Sequence, residues 1–294
     1  MSDYLIYTDA SADIDPALLE RYDIRFVAMH YTVGEEERIC TNLEAPDFLK
    51  RFYNAQREGK ETHTSQVTPH AYIETFTPFL QEGKSILYLS LSSGLTKTYE
   101  SVCLAASELA EQYGEAKVVP VDTLCATGGM GLLLEAAAKN REAGLPAEEN
   151  ADWLNSHRLS VAHWFMVDDL MYLKRGGRIP ATTAVLGTAL NIKPILKIDD
   201  EGKLVTLEKK RGYKLAIREL ANKYAATRDE TQNRVYIVHG DCPDKADELE
   251  QQLLEINPRA DIIKMTLCPI IGAHTGPGML AVIFFGNRSP EKED

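Results

Sequence analysis

Two apolar rhythms alternate along the first half of the chain. Short continuous apolar runs at 4–8, 24–33, 85–91 and 117–121 read as strands. Between them, residues 15–22, 45–59, 68–83, 98–113 and 127–143 carry amphipathic patterns that predict helices. Strands separated by helices of this kind imply a parallel sheet covered on both faces. Ligands of such sheets bind at the carboxyl ends of strands, where the chain turns into a helix.

Near residue 160 the rhythm changes. Residues 160–167 predict a strand and 168–174 a short helix, which the paired glycines of Arg175-Gly-Gly-Arg178 terminate. Runs at 192–198 and 204–208 flank Asp199-Asp-Glu-Gly-Lys203, the pattern of a β-hairpin. Helix, strand, helix and strand follow at 213–226, 234–239, 244–255 and 261–267, and 279–285 is the last strand. The expected fold is α/β: an N-terminal parallel-sheet α/β domain over 1–160 and a smaller C-terminal α+β, mixed-sheet domain over 161–288. The polar tail 289–294 is expected to fray.

The length of 294 residues agrees with two domains. A formal net charge of −12 repels phosphate backbones and anionic lipid surfaces, so nucleic acid and membranes are poor partners on global charge. A local basic patch could still hold an anion. The cysteines, Cys40, Cys103, Cys125, Cys242 and Cys268, are odd in number and widely spaced, which reads as buried thiols rather than disulfides or a zinc site. The first residues lack the basic and long apolar segments of a signal peptide, and no apolar run approaches the roughly 20 residues that span a bilayer. A cytoplasmic location without membrane insertion is expected.

Nucleotide motifs fail on inspection. Gly83-Lys84-Ser85 lacks the earlier glycine of a phosphate-binding loop, because Pro78 stands there. Gly128-Gly-Met-Gly131 lacks the third glycine of a dinucleotide turn, which falls at Leu134. His239-Gly-Asp-Cys242 has no second ligand cluster nearby in sequence and reads as a strand end.

Three hydroxyl- and glycine-rich segments sit where predicted elements meet: Thr64-Ser65-Gln66, Ser92-Ser93-Gly94 and Gly272-Ala-His-Thr-Gly-Pro-Gly278. Hydroxyls and free amides at helix starts favour anions. Singly, Thr64, Ser65, Ser92 and Ser93 read as helix caps, and His274 as a structural histidine. Together, with glycines that let backbone approach a ligand, they read as an anion site. Arg175-Gly-Gly-Arg178 and Lys209-Lys-Arg211-Gly-Tyr-Lys214 are basic clusters, either solvated or functional. A rival reading is a hydrolase, with Ser93 as nucleophile, His274 as base and Asp122 as orienter. The Gly-x-Ser-x-Gly elbow is missing.

Six segments in order resemble the DegV family of fatty-acid-binding proteins across nearly the whole chain. They are Thr8-Asp-Ala-Ser-Ala-Asp13, Thr64-Ser-Gln-Val-Thr-Pro69, Ser92-Ser-Gly-Leu-Thr-Lys-Thr-Tyr-Glu-Ser101, Leu173-Lys-Arg-Gly-Gly-Arg-Ile179, Asn191-Ile-Lys-Pro-Ile-Leu196 and Gly272-Ala-His-Thr-Gly-Pro-Gly278. The resemblance implies a long-chain fatty acid buried in a cleft between the two domains, without metal or cofactor. It also implies a carrier that catalyses nothing itself and presents the carboxylate to a dihydroxyacetone-kinase-like fatty acid kinase. By motif position, Thr64, Ser65 and Ser93 would meet the carboxylate, His274 would join their network, Arg211 would assist, and Arg178 would dock the kinase. The sequence departs from the family pattern at Ala10, Val67, Thr96-Lys97 and Pro180. Lys97, where the family box carries glycine, adds a cation that either pairs with the acid, alters head-group preference or faces solvent. The energetics suit a carrier: about 15 buried methylenes contribute roughly 12 kcal/mol before association costs. The head group then needs hydrogen-bond partners to offset its desolvation.

Overall fold

Three sheets organise residues 4–41, 45–114, 116–180 and 191–290, the residues described in a computed structural model of the chain. The first part runs β1 (Tyr4–Asp9), α1 (Pro16–Arg21), β2 (Ile24–Val27), β3 (Met29–Val33), β4 (Glu36–Cys40), α2 (Pro46–Arg57) and β5 (Thr62–Thr64). It continues with α3 (Pro69–Gln81), β6 (Ser85–Ser90), α4 (Thr98–Tyr113), β7 (Val118–Asp122), α5 (Gly128–Glu142) and α6 (Ala147–His157). Then come β8 (Val161–Met166), α7 (Leu170–Arg175), β9 (Ile192–Ile198), β10 (Leu204–Arg211) and α8 (Tyr213–Thr227). The last elements are β11 (Arg234–His239), α9 (Pro243–Ile256), β12 (Asp261–Thr266), α10 (Pro269–Thr275) and β13 (Leu280–Phe285).

The first sheet is parallel, in the order β2-β1-β6-β7. The second is mixed, in the order β10-β9-β8-β13-β11-β12; its parallel pair is β11 with β12, and the other pairings are antiparallel. The α/β and mixed-sheet expectation is thus met. The chain passes from one sheet to the other between Asp122 and Val161.

Local chemistry starts and stops these elements. Asp15 caps α1 by accepting from the Ala17 amide, Thr68 caps α3 through Ala71, and Asp169 caps α7 through Met171. Proline occupies the first helical position of α1 and α3, where its missing N–H is harmless. Beyond α7, Gly177 takes a φ of 70°, which ends the helix at the expected turn.

The structure corrects the sequence reading in four places. The single strand expected over 24–33 breaks at Ala28 into β2 and β3, which join different sheets. With β4 and β5, β3 forms a small antiparallel sheet in the order β4-β3-β5. Helix α6 was not expected. The segment before the last strand, read as a loop, contains α10, and His274 lies in its last turn.

The six-stranded sheet has two different faces. Ala162, Trp164 and Met166 of β8, with Leu280, Val282 and Phe284 of β13, pack in a core with α8 and α9. The alternate residues turn toward the first sheet and its helices. Helix α5 touches strands of both sheets and joins the two layers. Among the described residues, no helix is long and apolar enough to cross a membrane. Residues 291–294 of the expected frayed tail lie outside the described residues.

Candidate functional site

A cavity of about 460 Å³ lies between the two layers, a size ordinary for a small-molecule site. Its floor is the inner face of the six-stranded sheet. There Phe165 of β8 stands opposite Ala281 of β13, and His163 stands opposite Ile283. Leu91 and Ala126 close it from the first sheet, Ile270 and Ile271 from α10, and Leu173 from α7. Ile198 and Leu204 close it from the β9–β10 hairpin. The surface of the wall is thus mostly apolar. Its polar members are Thr64, Ser65, Gln66, Ser93, Thr96, Lys97, Thr127, His163, Arg178, His274 and Thr275. No aspartate or glutamate is among the described lining residues.

Thr64 is the last residue of β5, which pairs with β3 through Tyr31. Its Oγ1 lies 2.7 Å from His274 Nε2. This contact joins the small sheet to α10, across 210 residues of sequence. His274 is held from behind by α7's terminal turn: a Cβ at Gly176 would lie 2.3 Å from His274 Nδ1. Burial, and then the neighbouring Arg178 and His63 charges, push the His274 pKa down to about 3. The imidazole is therefore neutral at physiological pH.

Ser65 follows Thr64, is exposed, and donates its amide to the His30 carbonyl at 3.0 Å. Ser93 lies just beyond β6, at a carboxyl strand end as expected, and is exposed at the cavity. Two carboxylates hold its loop by backbone amides. Asp9 Oδ2 accepts from the Leu91 amide at 3.0 Å, and Asp122 Oδ1 accepts from the Ser93 amide at 3.1 Å. Asp122 also accepts from the Leu124 amide. Burial raises the Asp9 carboxyl, while bonds from Ser11, Leu91 and Tyr88 oppose the shift. Ser92 is not among the described residues lining the cavity; its hydroxyl donates to the Gly202 carbonyl at 2.8 Å and anchors the β9–β10 turn.

The remaining expected residues divide. Arg178 lines the cavity half-buried, donating Nε to the Leu95 carbonyl at 3.2 Å and Nη1 to the Gly176 carbonyl. Burial lowers its pKa. Arg211 ends β10, is exposed, and is not among the described residues that line the cavity. A place for it beside Thr64 and Ser93 therefore has no support in the geometry. The hydrolase constellation is not assembled: His274 Nε2 meets Thr64, Asp122 holds backbone amides, and no hydrogen bond links the three among the described residues. At His239, Nδ1 accepts from the Cys242 amide at 3.2 Å, a strand-end turn as read.

Sequence reasoning missed His163 and the cavity floor. His163 is buried against Ala126, with Nε2 3.2 Å from its carbonyl, and desolvation pushes its pKa down to about 3. All six residues of β8 are buried, so no period marks which of them face the cavity.

The whole chain has relatives of the same length. A model for the DegV family, described as an uncharacterised protein family, matches residues 4–287. A DegV domain-containing protein of Clostridium perfringens is 36% identical over 291 residues, covering 98% of this chain and 99% of the relative. One from Lactococcus lactis is 35% identical over 288 residues, with 98% and 99% covered. Among solved structures, a DegV lipid-binding protein of Thermotoga maritima superposes with a TM-score of 0.81 at 28% identity, covering 98% of this chain and 99% of the other. A DegV family protein of Thermus thermophilus, described by its fatty acid binding, superposes with a TM-score of 0.83 at 27% identity, with 97% and 99% covered. The match to the family model and the identity with full-length relatives place this chain in the DegV family.

Proposed function

We propose that this protein is a fatty-acid carrier, with the acyl chain in the cavity and the carboxylate at Thr64, Ser65 and Ser93. One observation carries this reading: a mostly apolar cavity surface meets hydroxyls and cations, with no acidic group among its described lining residues. The fatty acid binding described for the Thermus thermophilus relative supports the ligand class. The hydrogen-bond logic is directional. Thr64 has one proton to give; it can donate to a carboxylate only if His274 Nε2 carries a hydrogen and donates to Thr64. A neutral His274 in that tautomer supplies this relay.

The kinase partnership rests on the family resemblance. In this reading a dihydroxyacetone-kinase-like fatty acid kinase phosphorylates the presented carboxylate, and Arg178 at the cavity wall contributes to docking. The carrier supplies no catalytic group.

Mass spectrometry of denatured protein, purified from a bacterial host, is expected to release stoichiometric fatty acid. Protein that carries none and takes none up on incubation with oleate or palmitate would sink the proposal. Thr64→Val with Ser93→Ala is expected to lower fatty-acid affinity about 10-fold or more, because charge-assisted hydrogen bonds contribute about 1.5–3 kcal/mol each. Unchanged affinity in a folded double variant removes these hydroxyls from the site.

A further inference from the structure

Lys97 breaks a local rule. It is the N-cap residue of α4, where side chains that accept hydrogen bonds are preferred, and it makes no capping bond. Its cation also stands at the positive end of a 16-residue helix, the unfavourable end for a lysine. Thr96 Oγ1 accepts from the Thr98 amide at 3.3 Å, and Glu100 places an acid in the first turn, so neighbours serve the helix start that Lys97 does not. No ion pair or side-chain hydrogen bond holds the Lys97 ammonium among the described residues. Residues that oppose their own element without a structural return mark functional positions.

The position explains the choice. Lys97 is exposed and lines the cavity four residues beyond Ser93. Its backbone is fixed, because its carbonyl accepts from the Ser101 amide at 3.1 Å. The long side chain is exposed and is anchored by no hydrogen bond or ion pair among the described residues. Arg178, the other cation among the described lining residues, already donates to the Leu95 and Gly176 carbonyls. In a chain with 44 acidic and 32 basic residues, two cations and no carboxylate among the described lining residues make a local reversal of charge.

We propose that Lys97 is a charge-selecting residue of this cavity, pairing with the ionised head group and discriminating long-chain acids from uncharged long-chain alcohols. This rests on the acyl-chain reading of the cavity. Thr64 and Ser93 offer neutral donors that an alcohol's oxygen also satisfies; the ammonium rewards only the anion. Selection therefore resides in a Coulombic interaction that salt screens.

The test compares the full chain with Lys97→Met, which keeps the apolar stem, and Lys97→Arg, which keeps the charge. Binding of palmitate and of 1-hexadecanol is measured at low salt and at about 1 M salt. Lys97→Met is expected to weaken palmitate about fivefold at low salt, near the upper end for a partly exposed pair. At high salt the difference closes. Hexadecanol affinity stays at the parent value, and Lys97→Arg restores palmitate binding. Equal palmitate affinity of parent and Lys97→Met at low salt overturns the proposal. So does a parallel loss of hexadecanol, which would trace the effect to packing. If the parent itself binds neither ligand, the acyl-chain reading fails first; binding by the parent with no effect of Lys97→Met leaves that reading standing and removes Lys97 alone.

Discussion

At the scale of single residues, the site depends on contacts too close to admit one more carbon. Gly176 backs the His274 ring, and a methyl group there would meet Nδ1 at 2.3 Å. The ring has little room to yield, because its other nitrogen is held by Thr64. Gly176→Ala is expected to displace His274, break the Thr64 contact and weaken fatty-acid binding, while destabilising the fold by about 1–3 kcal/mol. Calorimetric titration beside urea denaturation separates the two effects. Full affinity in the variant would mean that His274 does not orient Thr64.

At the scale of elements, the loop from β6 to α4 is set by two acids that are not among the described residues lining the cavity. Asp9 and Asp122 end strands β1 and β7, on either side of β6, and reach across to its following amides. Adjacent parallel strands thus aim the Ser93 hydroxyl with carboxylates that face backbone rather than cavity. Asp122→Ala leaves the Ser93 and Leu124 amides without this acceptor, at about 1–3 kcal/mol, and is expected to loosen Ser93 and reduce affinity. Asp122→Asn keeps an acceptor oxygen and is expected to retain most of both. Urea midpoints and ligand titrations of the pair check this; identical behaviour of Ala and Asn would show that the acceptor is dispensable.

At the scale of the whole molecule, one arginine and two histidines tie the layers together. Arg288 is buried, and its guanidinium donates to the carbonyls of Leu124, Arg158, Val161 and Asp199 and to Cys125 Sγ. It joins the loop after β7, the start of β8 and the β9–β10 turn. Arg288→Met is expected to cost about 3 kcal/mol or more, because carbonyls desolvated by folding lose charged donors; a urea midpoint near the parent's would contradict this. His163 and His274 are both pushed down to about 3, and burial lowers His239 as well. The unfolded chain protonates His163 and His274 near 6.5, so through these two it binds more protons than the folded state between about pH 6.5 and 3. Stability contributed by the neutral folded histidines is therefore present above pH 6.5 and lost as pH falls. Each of the two costs up to about 1.4 kcal/mol per pH unit in that window. The urea midpoint is expected to drop between pH 7 and 5, and His163→Gln to flatten the curve by one histidine's share. A flat profile in the parent would show that neither group is held neutral.

What the sequence by itself determined was the alternation of strands and helices, the mixed second half and the hydroxyl segments, because these are written in local periodicity, caps and turns. The bounds of α4 and β11 match the sequence reading residue for residue. Thr64, Ser93 and His274 were legible as candidates because hydroxyls and glycines at element junctions are local signals. Only the tertiary structure decided which candidates meet. It joined Thr64 to His274 across the chain, drew Arg178 into the cavity wall and left Arg211 on the surface. It also decided which residues of the wholly buried β8 face the cavity, since a strand apolar on both faces carries no record of which side will be left unfilled.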